Sequence, residues 1–257
     1  MSIQFIIFML YILVFIFGAC IASFINVVIY RLPEGESIAK GRSKCPNCGK
    51  KIAFYDNIPI ISYLWLGGKC RKCHQTISKQ YILVETFGGL LAVLMVWRYD
   101  FDIAALSAFM IAMLLLAIAV IDFKTMTIPD SLIIAIAVIA LLNIFFIHNV
   151  TMTERLIGLF CVSVPMLLLE ITLGAFGMGD IKLMAVAGFL LGWQNTLLSM
   201  FIGIILAGIV GIRILITKKG KEKKMPFGPY LSIGILTALL FGQTIIEWYL
   251  KCFGFGG

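Results

Sequence analysis

Gly174-Ala175-Phe176-Gly177-Met178-Gly179-Asp180-Ile181-Lys182, written GAFGMGDIK, separates two long apolar runs. Directly behind three glycines it sets a carboxylate and an ammonium. An ionised aspartate within hydrocarbon is costly unless the fold compensates it, so the position of this stretch relative to a membrane decides how it is read. The surrounding chain is 61% hydrophobic and only 13% charged over 257 residues, where a soluble domain carries roughly 25% charged residues. These figures exclude an ordinary soluble domain and define an all-α integral membrane protein.

Apolar stretches near the ~20 residues a spanning helix needs fall at about 4–29, 81–97, 103–121, 131–148, 156–173, 182–194, 196–216 and 230–250. The expectation is a polytopic bundle of about eight transmembrane helices. The sixth stretch is short, and only Trp193-Gln194-Asn195 marks its border with the seventh, so seven spans with a re-entrant piece is the alternative. Three regions follow: a first span at 1–30, a basic loop at 31–80, and a multi-span core at 81–257.

Lys and Arg give the orientation. If the segment after the first span is cytoplasmic, alternate loops place eighteen of the 21 basic residues inside, among them Lys40, Lys69, Arg71, Lys72, Lys124, Lys182, Arg213, Lys218, Lys219, Lys221, Lys223 and Lys224. Only Arg98, Arg155 and Lys251 remain outside. The positive-inside rule therefore puts the N-terminus outside, with the first span as a retained anchor rather than a removed signal. Basic loops facing anionic lipid headgroups account for the net charge of +8, and no nucleic acid is needed as a partner.

The basic loop holds Cys45-Pro46-Asn47-Cys48 and, after an interval of 21 residues, Cys70-Arg71-Lys72-Cys73. Each CxxC turns two thiolates toward one point, and two of them supply the tetrahedral sulfur shell that zinc favours. A cytoplasmic position disfavours disulfides. A redox pair or incidental loop cysteines fit one CxxC better than two at this spacing. His74 reads as a solvated loop residue, and Cys20, Cys161 and Cys252 read as packing residues in or beside apolar spans.

The same topology places two carboxylates at one membrane face. Asp122 closes the third span in Ile121-Asp122-Phe123-Lys124-Thr125-Met126-Thr127-Ile128-Pro129-Asp130, and Asp180 follows the fifth. Two carboxylates brought close do not both ionise readily, so one holds a proton while the other does not. Such a pair can activate a water and protonate a leaving amine. Spacing alone leaves a plain pair of interfacial acids equally open. Gly177 and Gly179 give room for close backbone approach by a substrate strand. Asp130, after Pro129, reads first as a helix N-cap.

GMGDIKL resembles the GxGDxK motif of the type IV prepilin peptidases, within the wider group of GxGD intramembrane aspartyl proteases, and IDFKTMTIPD resembles their other aspartate motif. The similarity continues through Ser23 to Pro33, the four cysteines, Asn57-Ile58-Pro59, Ser62, Tyr81 to Glu85, and Pro226-Phe227-Gly228-Pro229. It implies an enzyme of the bacterial inner membrane that cleaves the leader from prepilins and pseudopilins at the cytoplasmic face. It also implies N-methylation of the new terminus from S-adenosylmethionine. On this resemblance the catalytic pair is Asp122 and Asp180, with Asp130, Lys182, Gly177 and Gly179 in support, and zinc is a structural cofactor on Cys45, Cys48, Cys70 and Cys73. The chain departs from the family at Tyr81-Ile82, where Tyr-Pro is common, and the cysteine loop sets it apart from a shorter branch without one. Two other classes fit less well. A proton-coupled transporter sets its acids near mid-membrane and shows internal repeats, neither of which is found here, and a non-catalytic assembly scaffold gives no reason for GMGD.

Overall fold

The computed structural model describes residues 3–39, 41–147, 149–217 and 225–253. Lys40 and the cluster Lys218, Lys219, Lys221, Lys223 and Lys224, used above for orientation, lie outside the described residues. Among the described residues ten α-helices follow one another: α1 (Ile3–Arg31), α2 (Ile61–Trp65), α3 (Lys79–Tyr99), α4 (Ile103–Thr125), α5 (Asp130–Phe146), α6 (Met152–Cys161), α7 (Ser163–Leu173), α8 (Met178–Leu191), α9 (Trp193–Thr217) and α10 (Gly228–Cys252). Two isolated β-bridges, Lys44 to Lys51 and Lys69 to Thr76, are the extended pairings among the described residues.

Among the described residues six segments are long and apolar enough to cross a membrane: α1, α3, α4, α6 with α7, α9 and α10. Each of the eight apolar stretches read from the sequence falls on helix, but two fall short of full spans. At ~1.5 Å per residue, the 17 residues of α5 rise ~25 Å and the 14 of α8 ~21 Å, against a hydrocarbon core of ~30 Å. The stretch read as 156–173 is two helices meeting at Val162. Pro165 has no N–H to offer the Cys161 carbonyl one turn back, which accounts for the break.

The chain forms two compact units, residues 1–109 and 110–257, with the boundary inside α4. In the first, α1 and α3 meet through small residues that permit close helix approach: Gly18 lies against Ala92, Gly88 and Gly89, and Gly89 lies against Phe15. Buried Asn26 donates from Nδ2 to the Tyr81 carbonyl at 3.1 Å, tying the end of α1 to the start of α3.

The second unit packs around fully buried side chains of α4 (Ile111, Met113, Leu115, Ile118, Ile121), α5 (Ile136), α7 (Met166), α8 (Leu183, Met184) and α10 (Leu231). Gly158 of α6 and Gly188 of α8 face each other so closely that a methyl on either would enter the other's backbone. Arg155, only 2% exposed, sits one turn before this crossing. Its guanidinium donates to the carbonyls of Phe189 (3.2 Å) and Leu190 (3.4 Å) at the end of α8, and to that of Ile147 (3.2 Å) just past α5. These are terminal carbonyls that helix geometry leaves without internal partners. Arg155, read from the sequence only as an outward-loop cation, thus closes two helix ends.

Candidate active site and metal centre

Asp122 lies in the last turn of α4 and is 5% exposed. The helix stops three residues later. The Met126 N–H bonds back to the Asp122 carbonyl at 2.8 Å, and Met126 takes the left-handed conformation (φ 55°) that commonly terminates a helix. The Asp122 carboxylate accepts a hydrogen bond from the Gly228 N–H, 2.9 Å to Oδ2. Gly228 opens α10, so this amide is one of those a helix start leaves unpaired, at its positive end. A Cβ there would stand 2.8 Å from Oδ2 and 3.0 Å from Cγ of Asp122, so the approach requires glycine.

Asp180 is the third residue of α8, behind N-cap Gly177, whose N–H lies 3.3 Å from Oδ2 of Asp180. Burial lifts the Asp180 carboxyl from its usual range to about 6, the negative charge of Asp122 adds to the rise, and the Gly177 N–H works against it. The loop ahead is held by Glu170, whose Oε2 accepts the Phe176 N–H at 2.8 Å, after α7 ends on left-handed Gly174.

Three contacts gather the ends of α4, α5, α8 and α10. The Phe176 and Phe227 rings stand 5.7 Å apart, joining the loop before α8 to the turn before α10. Gly179 abuts the Ile128 side chain, where a methyl would come within 2.9 Å. Lys182 Nζ lies 2.8 and 3.0 Å from the two oxygens of Asp130. Asp130 is therefore not the N-cap that its place after Pro129 suggests. Pro129, extended at φ −66° and ψ 126°, holds the cap position without a side-chain bond, which makes Asp130 the first helical residue and frees its carboxylate for Lys182. With side chains 62% and 48% exposed, the pair contributes at most ~1 kcal/mol and acts mainly as a locator. Gly179 serves this packing of the chain against itself, and Gly177 lies against the Asp180 carboxylate.

Sequence reasoning missed Gly228 and Arg155 as partners. The Pro226-Phe227-Gly228-Pro229 motif was the available signal for the first; nothing local marks the second. It also missed Glu85, which is buried and accepts the Ile60 N–H at 2.8 Å, holding Ile60 at φ 63° ahead of α2.

In the first unit the four loop cysteines converge, with all their Sγ atoms within 4.8 Å of one another. The two knuckles repeat one geometry. Cys45 N–H bonds to the Lys50 carbonyl (3.0 Å) and Cys70 N–H to that of Gln75 (2.9 Å). Gly49 and His74 N–H return to the Cys45 and Cys70 carbonyls, both at 2.9 Å. Gly49 (φ 68°) and His74 (φ 56°) occupy the same left-handed position, so His74 is a turn residue and the thiols form the ligand set. Zinc at ~2.3 Å from each sulfur of a tetrahedron sets neighbouring sulfurs ~3.8 Å apart, and Cys45 and Cys73 Sγ are 3.8 Å apart. Backbone N–H groups of Cys73 and Lys72 draw the Cys70 thiol down to about 6. At Cys73 the Gln75 N–H also lowers the thiol, but burial and the three neighbouring sulfurs outweigh it and push Cys73 up to about 11. Four sulfur donors at this spacing could hold a metal ion, and the donor set fits zinc. Cys20 and Cys252 are exposed and Cys161 half-buried, so of the three cysteines read as packing residues only Cys161 packs in part.

The fold and these two constellations define a polytopic helical membrane protein with a four-thiol cluster that could hold a metal ion and two carboxylates on neighbouring helix ends. Residues 16–99 match the bacterial peptidase A24 N-terminal domain and residues 108–212 the type IV leader peptidase family. Curated relatives named prepilin leader peptidase/N-methyltransferase include those of Aeromonas salmonicida (33% identical over 93% of both chains), Pseudomonas aeruginosa (34%, covering 93% of this chain and 92% of the relative) and Legionella pneumophila (30%, 94% of both). No solved structure matches. The chain belongs to the type IV leader peptidase family.

Proposed function

We propose that this protein cleaves the leader from prepilins or pseudopilins with Asp122 and Asp180 as its catalytic pair. The proposal extends to N-methylation of the new N-terminus from S-adenosylmethionine, as the relatives' names imply. The observation that carries the peptidase reading is the meeting of two carboxylates on neighbouring helix ends, close enough that the charge of Asp122 raises Asp180. Each faces an N–H at a helix start, Asp122 that of Gly228 at 2.9 Å and Asp180 that of Gly177 at 3.3 Å. Asp180 is held near 6, within reach of protonation close to neutrality.

Asp122, which has the shorter of the two bonds to a helix-start N–H, is taken as the base. It takes a proton from water as the oxygen attacks the scissile carbonyl carbon, while protonated Asp180 donates to the carbonyl oxygen. When the carbon–nitrogen bond breaks, the proton held by Asp122 passes to the departing amine, and the proton on the collapsing oxygen returns to Asp180. Lys182, Asp130, Gly177 and Gly179 position Asp180. A prepilin's apolar helix lies among the spans, its basic leader emerging on the cytoplasmic side of a bacterial inner membrane, and the excess of Lys and Arg in alternate loops supports both aspartates facing that side. The N-terminus is then outside. Residues 1–30 act as the first span, 31–80 as the zinc-bearing loop and 81–257 as the peptidase core. Zinc on the four cysteines shapes the loop, membrane lipid contacts the spans and basic loops, and no nucleic acid takes part.

Asp122→Asn and Asp180→Asn test the pair, since each keeps its shape but cannot exchange a proton. Each abolishes cleavage of a purified prepilin with abundance in the membrane near normal. Wild-type cleavage by either variant removes that residue from the role.

A further inference from the structure

The short helix α2 is built inside out for an aqueous loop. Ser62 is buried with its Oγ donating to the Tyr55 carbonyl at 2.9 Å, and half-buried Tyr63 points its hydroxyl inward to the Ile77 carbonyl at 3.4 Å. The three large apolar residues face out: Ile61 is 60% exposed, Leu64 66% and Trp65 82%. Spaced at i, i+3 and i+4, they share one helix face. Phe54, 87% exposed, comes from the 3-10 turn Phe54–Asn57 that packs beside α2. A helix that hides its hydroxyls and shows its hydrocarbon is covered by something apolar.

The geometry points to the lipid interface of the bilayer as the surface that Phe54, Ile61, Leu64 and Trp65 contact. The loop joins two membrane-spanning helices, α1 ending at Arg31 and α3 beginning at Lys79, so it is tethered to the membrane at both ends. Tryptophan and flanking cations are the residues that the headgroup region accommodates. Exposed Lys69, Arg71 and Lys72 follow Trp65 closely in the chain. Arg71 is held against the loop by Asp56, 2.6 Å from Nη2 to Oδ1, and by the Tyr55 ring. The loop thus rests on the bilayer through α2. This goes beyond the peptidase reading and requires only that α1 and α3 cross a membrane.

The full-length protein in bilayer nanodiscs tests it, with lipids brominated near the headgroup end of the acyl chains or near the terminal methyls. Trp97→Phe, Trp193→Phe and Trp248→Phe together leave Trp65 as the one indole of the four. Headgroup-proximal bromines quench its emission about two-fold and more strongly than deep bromines, in keeping with a shallow seat. If the triple variant does not fold, the difference in quenching between wild type and Trp65→Phe isolates the same indole. An unquenched Trp65 overturns the proposal whether its emission is that of an indole in water or is blue-shifted, the second outcome meaning that protein covers the face.

Discussion

Gly228→Ala is the sharpest probe of the site, because it changes neither aspartate. The added methyl would stand 2.8 Å from Oδ2, 3.0 Å from Cγ and 3.1 Å from Cβ of Asp122. Asp122 is itself buried and the methyl would crowd its Cβ as well as its carboxyl, so the carboxylate must leave the Gly228 N–H. A hydrogen bond to a charged group contributes ~1.5–3 kcal/mol. At ~1.36 kcal/mol per tenfold in rate, its loss lowers kcat by about 10- to 150-fold. KM changes little, since the bond acts on the reacting pair and not on uniform substrate binding. The assay is steady-state cleavage of a purified prepilin, with thermal unfolding measured on the same samples. Gly211→Ala, whose methyl meets nothing within 4 Å, controls for placing alanine in a helix. Wild-type kcat in Gly228→Ala, with unchanged unfolding, would refute the claim that this amide sustains Asp122.

Carbodiimide labels protonated carboxyls, so labelling of Asp180 in the folded protein falls as pH rises through about 6; in Asp122→Asn the midpoint moves down, because the neighbouring negative charge that opposes ionisation is gone, and an unmoved midpoint means the carboxylates do not sense each other. Purified wild type carries about one zinc per chain, absent when Cys45, Cys48, Cys70 and Cys73 become serine, since a hydroxyl is a poor zinc ligand. Elemental analysis checks this, and equal metal content in the two proteins counts against the site. Arg155→Ala leaves the Ile147, Phe189 and Leu190 carbonyls without their shared donor, lowering stability by at least ~1–3 kcal/mol. Arg155→Lys recovers part of it, because one ammonium cannot match the guanidinium fork; full recovery in thermal unfolding would show that the fork is not needed.

The spans were legible because hydrophobic length is local information, and the CxxC pair because a metal site imposes short spacings. What was hidden is what links distant segments. The bond between Asp122 and Gly228 joins residues 106 apart, and that between Lys182 and Asp130 residues 52 apart. No periodicity shows either. Arg155 misled for a related reason: an arginine between apolar stretches reads as a loop cation, yet its length and five donors let it reach carbonyls across helix ends. The shortness of α8 was already visible in the stretch 182–194, whereas α5 was read past its end because Ile147 continues the apolar run beyond the last helical turn. Asp130 was misread by one position, since a proline already in extended conformation can itself begin the helix.

Gly158 and Gly188 bear on how this molecule can change over evolutionary time. Where helices meet through side chains, a sequence can drift, because one methylene gained or lost is absorbed by repacking. Here α6 and α8 meet main chain to main chain, a joint with no intermediate settings. The placing of α8, which carries Asp180 in its first turn, is therefore inherited nearly unchanged.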